Sequence, residues 1–209
     1  MPLDDHLYPV NLVLTGRRCL VVGGGSVAAR KVRGLLAAGA VVHVVAPEIT
    51  EEIRGLTGVT LDERPYESHD LEGVWLVVAA TGDPEVNATV RKDADAAHTW
   101  LNAADDPASC SFTLPAVTRR GPVTVAVSTA GHSPALAKWI KGQVEDLIGP
   151  EFATLATLVG EVREQLQAAG RSTEQVDWRP AFESDMLDAV RAGDLARVRE
   201  RLEACLSSS

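Results

Sequence analysis

The chain has 209 residues, 45% of them hydrophobic and 23% charged, with a formal net charge of −9. That is room for one domain of about 100–150 residues and a smaller second one. Its acidity repels phosphate backbones, so nucleic acid is not expected as a partner. No apolar run approaches the roughly 18 residues of a membrane span. Residues 1–8 carry Asp4, Asp5 and His6 where a signal peptide has a basic segment, so no membrane association and a cytoplasmic location are expected.

Residues 17–22 (RRCLVV) are short, rich in Val and Leu and followed by three glycines, which suits a buried parallel strand. A helix is expected over residues 26–38, with Val27, Val32, Leu35 and Leu36 on one side and Gly39 as its stop. Residues 40–46 (AVVHVVA) form the next strand, closed by Pro47, then a short helix over 48–56 and a weak strand over 59–62. Residues 74–80 (VWLVVAA) read as a strong buried strand. Asp83 caps a helix that has Pro84 at its first position and Val86 and Val90 facing inward. Residues 99–103 are the fifth strand. Strands alternating with helices predict an α/β fold, a Rossmann-type parallel sheet.

The pattern changes after Asp105. Residues 111–117 and 123–128 are β-rich runs joined by Thr118-Arg119-Arg120-Gly121-Pro122, which predicts a hairpin. Ser133-Pro134 starts a helix, and the remainder is helical in pattern, with breaks near Gly149-Pro150, residues 170–173 and Gly193. The expected division is a dinucleotide-binding domain over 1–110, a β-rich and helical segment over 111–150 serving dimerisation and substrate, and a helical domain over 151–209.

Gly23-Gly24-Gly25-Ser26-Val27-Ala28 fits G-x-G-x-x-[GA]. Gly23 allows the tight turn, Gly25 lets a pyrophosphate approach the backbone, and the small Ala28 lets helix and strand pack closely. The pyrophosphate would sit on the helix N-terminus, over Ser26 and Val27. The motif follows a predicted strand and opens a predicted helix, the context it requires. The second strand ends Val45-Ala46-Pro47-Glu48, so Glu48 either grips the adenosine ribose or stands exposed in the first turn of the next helix. No arginine waits there for a 2′-phosphate, which favours NAD over NADP.

Other chemistries find little support. Cys19, Cys110 and Cys205 are far apart, and the histidines at 6, 43, 69, 98 and 132 are scattered, so neither a disulfide framework nor a structural zinc site is expected. The Tyr-x-x-x-Lys pair of short-chain dehydrogenases is absent, because Leu12 and Asp70 lie four residues beyond Tyr8 and Tyr66.

Tyr8-Pro-Val-Asn-Leu and Cys19-Leu-Val-Val-Gly-Gly-Gly-Ser-Val-Ala-Ala-Arg-Lys resemble the opening of precorrin-2 dehydrogenases, the oxidase and chelatase module of siroheme synthases. The likeness continues through Ala79-Ala-Thr81-Gly-Asp, Leu101-Asn-Ala-Ala-Asp105-Asp-Pro, Cys110-Ser-Phe-Thr-Leu-Pro115 and Val125-Ala-Val-Ser-Thr-Ala-Gly-His-Ser-Pro134. It covers about residues 6 to 150, and the helical tail matches only in kind.

The resemblance implies NAD-dependent oxidation of precorrin-2 to sirohydrochlorin in a homodimer. In some members it also implies insertion of ferrous iron, or cobaltous ion, at the same site. The methyltransferase domain of some members is expected to be absent.

Asp105 matches the acidic position of the Asn-x-x-Asp block. It follows the fifth strand, at the carboxyl edge where α/β sheets bind ligands, and a carboxylate there takes a proton or steers a pyrrole nitrogen. Asp105-Asp106-Pro107 also reads as a plain turn. Arg119, Arg120, Lys138 and Lys141 are candidates for the substrate's carboxylates, or else solvated surface. Ser128, Thr129 and His132 precede a helix start whose N–H groups suit carboxylates, and His132 reads equally as an exposed loop residue. A non-catalytic NAD-binding redox sensor is the alternative; it would have no need of residues 102–107.

Overall fold

The computed structural model describes residues 7–104, 106–172, 176–182 and 185–207. They divide into two compact units, one running to Leu114 and including Ala130–His132, the other comprising Pro115–Thr129 and the chain from Ser133 onward.

The first unit is built outward from β1 (Arg18–Val22). Its side chains alternate between faces, as a strand's period of two demands. Cys19 and Val21 pack with Val32 and Leu35 of α1 (Ser26–Ala37), while Leu20 and Val22 pack with Val90 and Ala94 of α3 (Pro84–Ala96). Around it lie β2 (Val41–Val45), β3 (Val59–Asp62), β4 (Leu76–Ala79) and β5 (Trp100–Ala103). The five strands are parallel, in the order β3-β2-β1-β4-β5. Burial on both faces explains why these segments read as continuous Val and Leu runs rather than alternating ones.

Val22 lies beside Val45 and Ala79, and Ala79 beside Ala103, so the strands end together at one carboxyl edge. The strand order reverses between β1 and β4. That crevice is where doubly wound sheets place their ligands, and it is where the glycine loop emerges.

Several predicted boundaries move, the hairpin connection expected over residues 118–122 shrinking to 121–122, and two of the shifts have a visible cause. The helix expected over 48–56 is the single turn α2 (Glu51–Arg54). The N–H of Thr50 is spent on the carbonyl of Gly24 at 3.0 Å, so the helix starts only after it. The strand expected over 111–117 begins at Ala116 instead. Ser111 and Phe112 turn their N–H groups onto the Leu101 carbonyl, and Leu101 N–H donates to Ser111 Oγ at 2.6 Å, which holds this stretch against β5.

In the second unit β6 (Ala116–Arg120) and β7 (Val123–Val127) form an antiparallel hairpin. Its two-residue loop is Gly121-Pro122, with Gly121 at φ +54° as the first position of a type II′ turn requires. The helices are α4 (Pro134–Leu147), α5 (Pro150–Ala168), α6 (Arg179–Phe182), α7 (Met186–Arg191) and α8 (Leu195–Ser207). Leu155, Leu158, Val162 and Leu166 form one face of α5 and bury against Met186, Val190, Val198 and Leu202. The buried Glu151 in the first turn of α5 is tied to Arg191 at the end of α7. Among the described residues no helix is long and apolar enough to cross a membrane.

Candidate functional site

The three glycines of the loop after β1 do different work. A Cβ on Gly23, which sits at φ +128°, would lie 2.3 Å from the Ala80 carbonyl oxygen, and one on Gly24 would lie 1.9 Å from that of Glu48. Both are glycine because backbone just past β4 and in the bend after β2 presses on them. Gly25 is exposed, its conformation (φ −88°, ψ −172°) suits any residue, and a Cβ there would meet open space. Nothing in the fold requires glycine at this position, whereas the close approach of a pyrophosphate to the backbone would.

Gly25 is also the N-cap of α1. It supplies no side-chain cap, and the first turn, through Ser26 and Val27, holds no acidic residue. The helix therefore presents free N–H groups and the positive end of its dipole to an anion. The helix that follows β4 differs: Asp83 accepts from the N–H groups of Glu85 at 2.9 Å and Val86 at 3.4 Å and closes α3 off. An open helix start beside an unfilled glycine fits the pyrophosphate of a dinucleotide.

Pro47 and Glu48 are exposed in the bend after β2, and Glu48 backbone packs on Gly24. Glu48 is thus outside the short helix in which it was expected to stand exposed, and beside the glycine loop. Thr81 follows β4 next to Gly23. Its hydroxyl bonds Asn87 Oδ1 at 2.8 Å, and Asn87 Nδ2 returns to the Thr81 carbonyl at 3.1 Å. Asn87, one turn into α3, braces this rim, and no motif in the sequence pointed to it.

Asp105 lies outside the described residues; the residues before and after it in the chain are described. Asn102, buried in β5, accepts a hydrogen bond from Lys31 Nζ at 2.8 Å on Oδ1 and donates from Nδ2 to the Phe112 carbonyl at 3.2 Å. Cys110 Sγ accepts from the Ala103 N–H at 3.2 Å. Burial raises the Cys110 thiol pKa against the opposing pull of that backbone contact. Asp106 is exposed, pairs with Ser109 and precedes a single 3-10 turn, consistent with a turn residue. Lys31 was not singled out as a site residue, although it closes the Cys19-to-Lys31 block of the resemblance.

In the second unit the proposed cations separate into two kinds. Arg120 donates to the carbonyls of Ile148 at 3.1 Å and Glu145 at 3.4 Å, so it caps the end of α4. Lys141 pairs with Glu145 at 2.6 Å, and that hydrogen bond, opposed by partial burial, leaves the Glu145 carboxyl below its ordinary pKa. Arg119 and Lys138 are exposed. Thr129 Oγ1 accepts from the Ser133 N–H at 3.1 Å and closes a turn in which Ala130 holds φ +48° and Gly131 φ +80°. Ser133 then caps α4 through the Leu136 N–H. Ser128, just before that turn, and His132, within it, are exposed.

Comparison with known proteins adds the following. A family model described as NAD(P)-binding matches residues 10–116, and one described as sirohaem biosynthesis protein, central, matches residues 120–147. A siroheme synthase from Ectopseudomonas mendocina is 39% identical over 207 residues, which is 98% of this chain and 45% of that protein. Another, from Chromobacterium violaceum, is 39% identical over 203 residues, 95% of this chain and 43% of that one. The chain therefore spans less than half the length of these curated relatives. Among solved structures, SirC, a precorrin-2 dehydrogenase, aligns with a TM-score of 0.75 at 29% identity, covering 96% of this chain and 100% of that one.

Proposed function

The chain belongs to the NAD(P)-binding family, whose model spans just over half of it, and from that premise we propose that it oxidises precorrin-2 to sirohydrochlorin with NAD as the acceptor. The open volume over Gly25 at an uncapped helix start carries the cofactor half of this reading. The end-to-end likeness to a precorrin-2 dehydrogenase supports the substrate half.

NAD, when bound, supplies the acceptor for the hydride that leaves the macrocycle. The chain's own groups bind, orient and move the proton. The N–H groups of Gly25, Ser26 and Val27 hold the pyrophosphate, and Pro47 and Thr81 border it. Glu48 takes the adenosine ribose, and its carboxylate would repel a 2′-phosphate, which favours NAD over NADP. Asp105 accepts the proton that accompanies the departing hydride. Substrate carboxylates go to Arg119 and Lys138, with hydrogen bonds from Ser128, Thr129 and His132. Arg120 and Lys141 already have Glu145 as their counter-charge, so their share is smaller.

The active form is a homodimer. A two-stranded ribbon is marginal by itself, Val123, Val125 and Val127 are only half-buried, and Leu136, Trp139 and Leu147 stand exposed along α4. A second copy covering these surfaces is the commonest closed solution. Ferrous or cobaltous ion is proposed as a second substrate, delivered to the macrocycle nitrogens, and not as a resident metal.

The test is anaerobic incubation with precorrin-2 and either NAD or NADP, followed by the absorption spectrum and then by addition of the metal ion. NAD-dependent appearance of sirohydrochlorin supports the reading. Tight NAD binding without turnover would make the chain a sensor.

A further inference from the structure

The side chain of Asn102 is held from both ends. Its Oδ1 faces Lys31 Nζ at 2.8 Å, its Nδ2 reaches the Phe112 carbonyl at 3.2 Å, and Cys110 Sγ lies 3.6 Å away. Cys110 in turn holds Ala103, and Ser111 is bonded to Leu101 at both its N–H and its hydroxyl. Residues 110–112 are thereby folded back along β5 as a fastened neck. Lys31, half-buried in α1, reaches this neck from a helix 71 positions away in sequence. Lys31 lies five residues into the helix whose N-terminus faces the dinucleotide, about 7.5 Å along its axis.

We propose that Lys31 is a positioning residue: through Asn102 it fixes the block after β5 to α1, so that the support of the cofactor and the support of the substrate keep one spacing. This rests on the reading of residues 102–107 as the substrate-facing block. The role is distinct from holding NAD, because the pyrophosphate contacts lie a full turn earlier on the helix. It is also distinct from proton transfer.

The test compares wild type with Lys31→Met, which keeps the aliphatic stem, and Lys31→Arg, which keeps the charge. Lys31→Met should lower kcat for precorrin-2 by about tenfold to a hundredfold, the scale of a small misplacement of reacting groups. The KM for NAD should stay within about twofold, because uniform binding is untouched. Amide hydrogen exchange over residues 103–112 should quicken by about tenfold, the scale of losing a charge-assisted bond. Lys31→Arg should restore most of kcat. If Lys31→Met does not fold, Lys31→Gln takes its place with the same expectations. Faster exchange with unchanged kcat would reduce Lys31 to a structural contact and overturn the proposal, as would a kcat loss that tracks loss of NAD binding. Should wild type fail to oxidise precorrin-2, the functional reading falls. The exchange comparison then still decides whether Lys31 holds the loop.

Discussion

Replacing Gly25 by Asp separates what the glycine loop does for the fold from what it does for a ligand. The backbone at Gly25 is extended and a Cβ meets open space, so the aspartate is accommodated. It arrives at an N-cap that has no side-chain cap. Aspartate exceeds glycine as an N-cap by a few tenths of a kcal/mol, and its charge at the dipole's positive end adds about 0.3–1 kcal/mol. The variant should therefore be as stable as wild type or about 0.5–1 kcal/mol more so, which is about 1–4 °C in Tm for a chain of this size. The same carboxylate stands at the place proposed for the pyrophosphate. At roughly 4 Å and an effective dielectric of about 20 the repulsion is about 4 kcal/mol per charge pair, close to a thousandfold in affinity. Thermal unfolding and NADH fluorescence titration on the same sample read both effects. Gly24→Ala is the contrast: its Cβ would lie 1.9 Å from the Glu48 carbonyl, so it should lose about 1–3 kcal/mol of stability. A Gly25→Asp protein that is destabilised, or that binds NADH normally, would refute the division of labour among the three glycines.

Three further outcomes are expected. Asp105→Asn should fold, bind NAD and lose about a hundredfold or more in precorrin-2 turnover, whereas Asp106→Asn, at the exposed partner of Ser109, should lose little; steady-state kinetics on both checks this. Arg120→Ala should cost about 1 kcal/mol of stability by uncapping α4, while Arg119→Ala should leave unfolding unchanged and raise the precorrin-2 KM by about tenfold. Burial works to raise the Asp70 pKa, but the Arg64 hydrogen bond and the Glu67 N–H outweigh it and leave the group below its ordinary value. Its contribution to stability is thus complete above about pH 4, the unfolded value, and is lost as pH falls through the folded value. An acid-unfolding series should show Asp70→Asn less stable than wild type at neutral pH and the difference shrinking below that point.

The parallel sheet was legible because β1, β2 and β4 are buried on both faces, and only Val- and Leu-rich runs serve there. Boundaries were legible only where local chemistry sets them, as Asp83-Pro84 does for α3. The late starts of α2 and β6 come from bonds to Gly24 and Leu101, distant partners that leave no mark in the local pattern. The site divides the same way. The glycine loop announces itself within six residues. The pairing of Lys31 with Asn102 spans 71 positions, and adjacent Arg119 and Arg120 differ only because the carbonyls that Arg120 caps lie 25 and 28 residues away.

The central claim is that this chain couples oxidation of precorrin-2 to reduction of NAD. A substrate-limited, anaerobic reaction with excess NAD measures it directly, with NADH and sirohydrochlorin quantified from the same spectrum. The account requires one NADH for each sirohydrochlorin formed, at a rate proportional to protein concentration. Sirohydrochlorin appearing without NADH, or at the same rate without the protein, would contradict it.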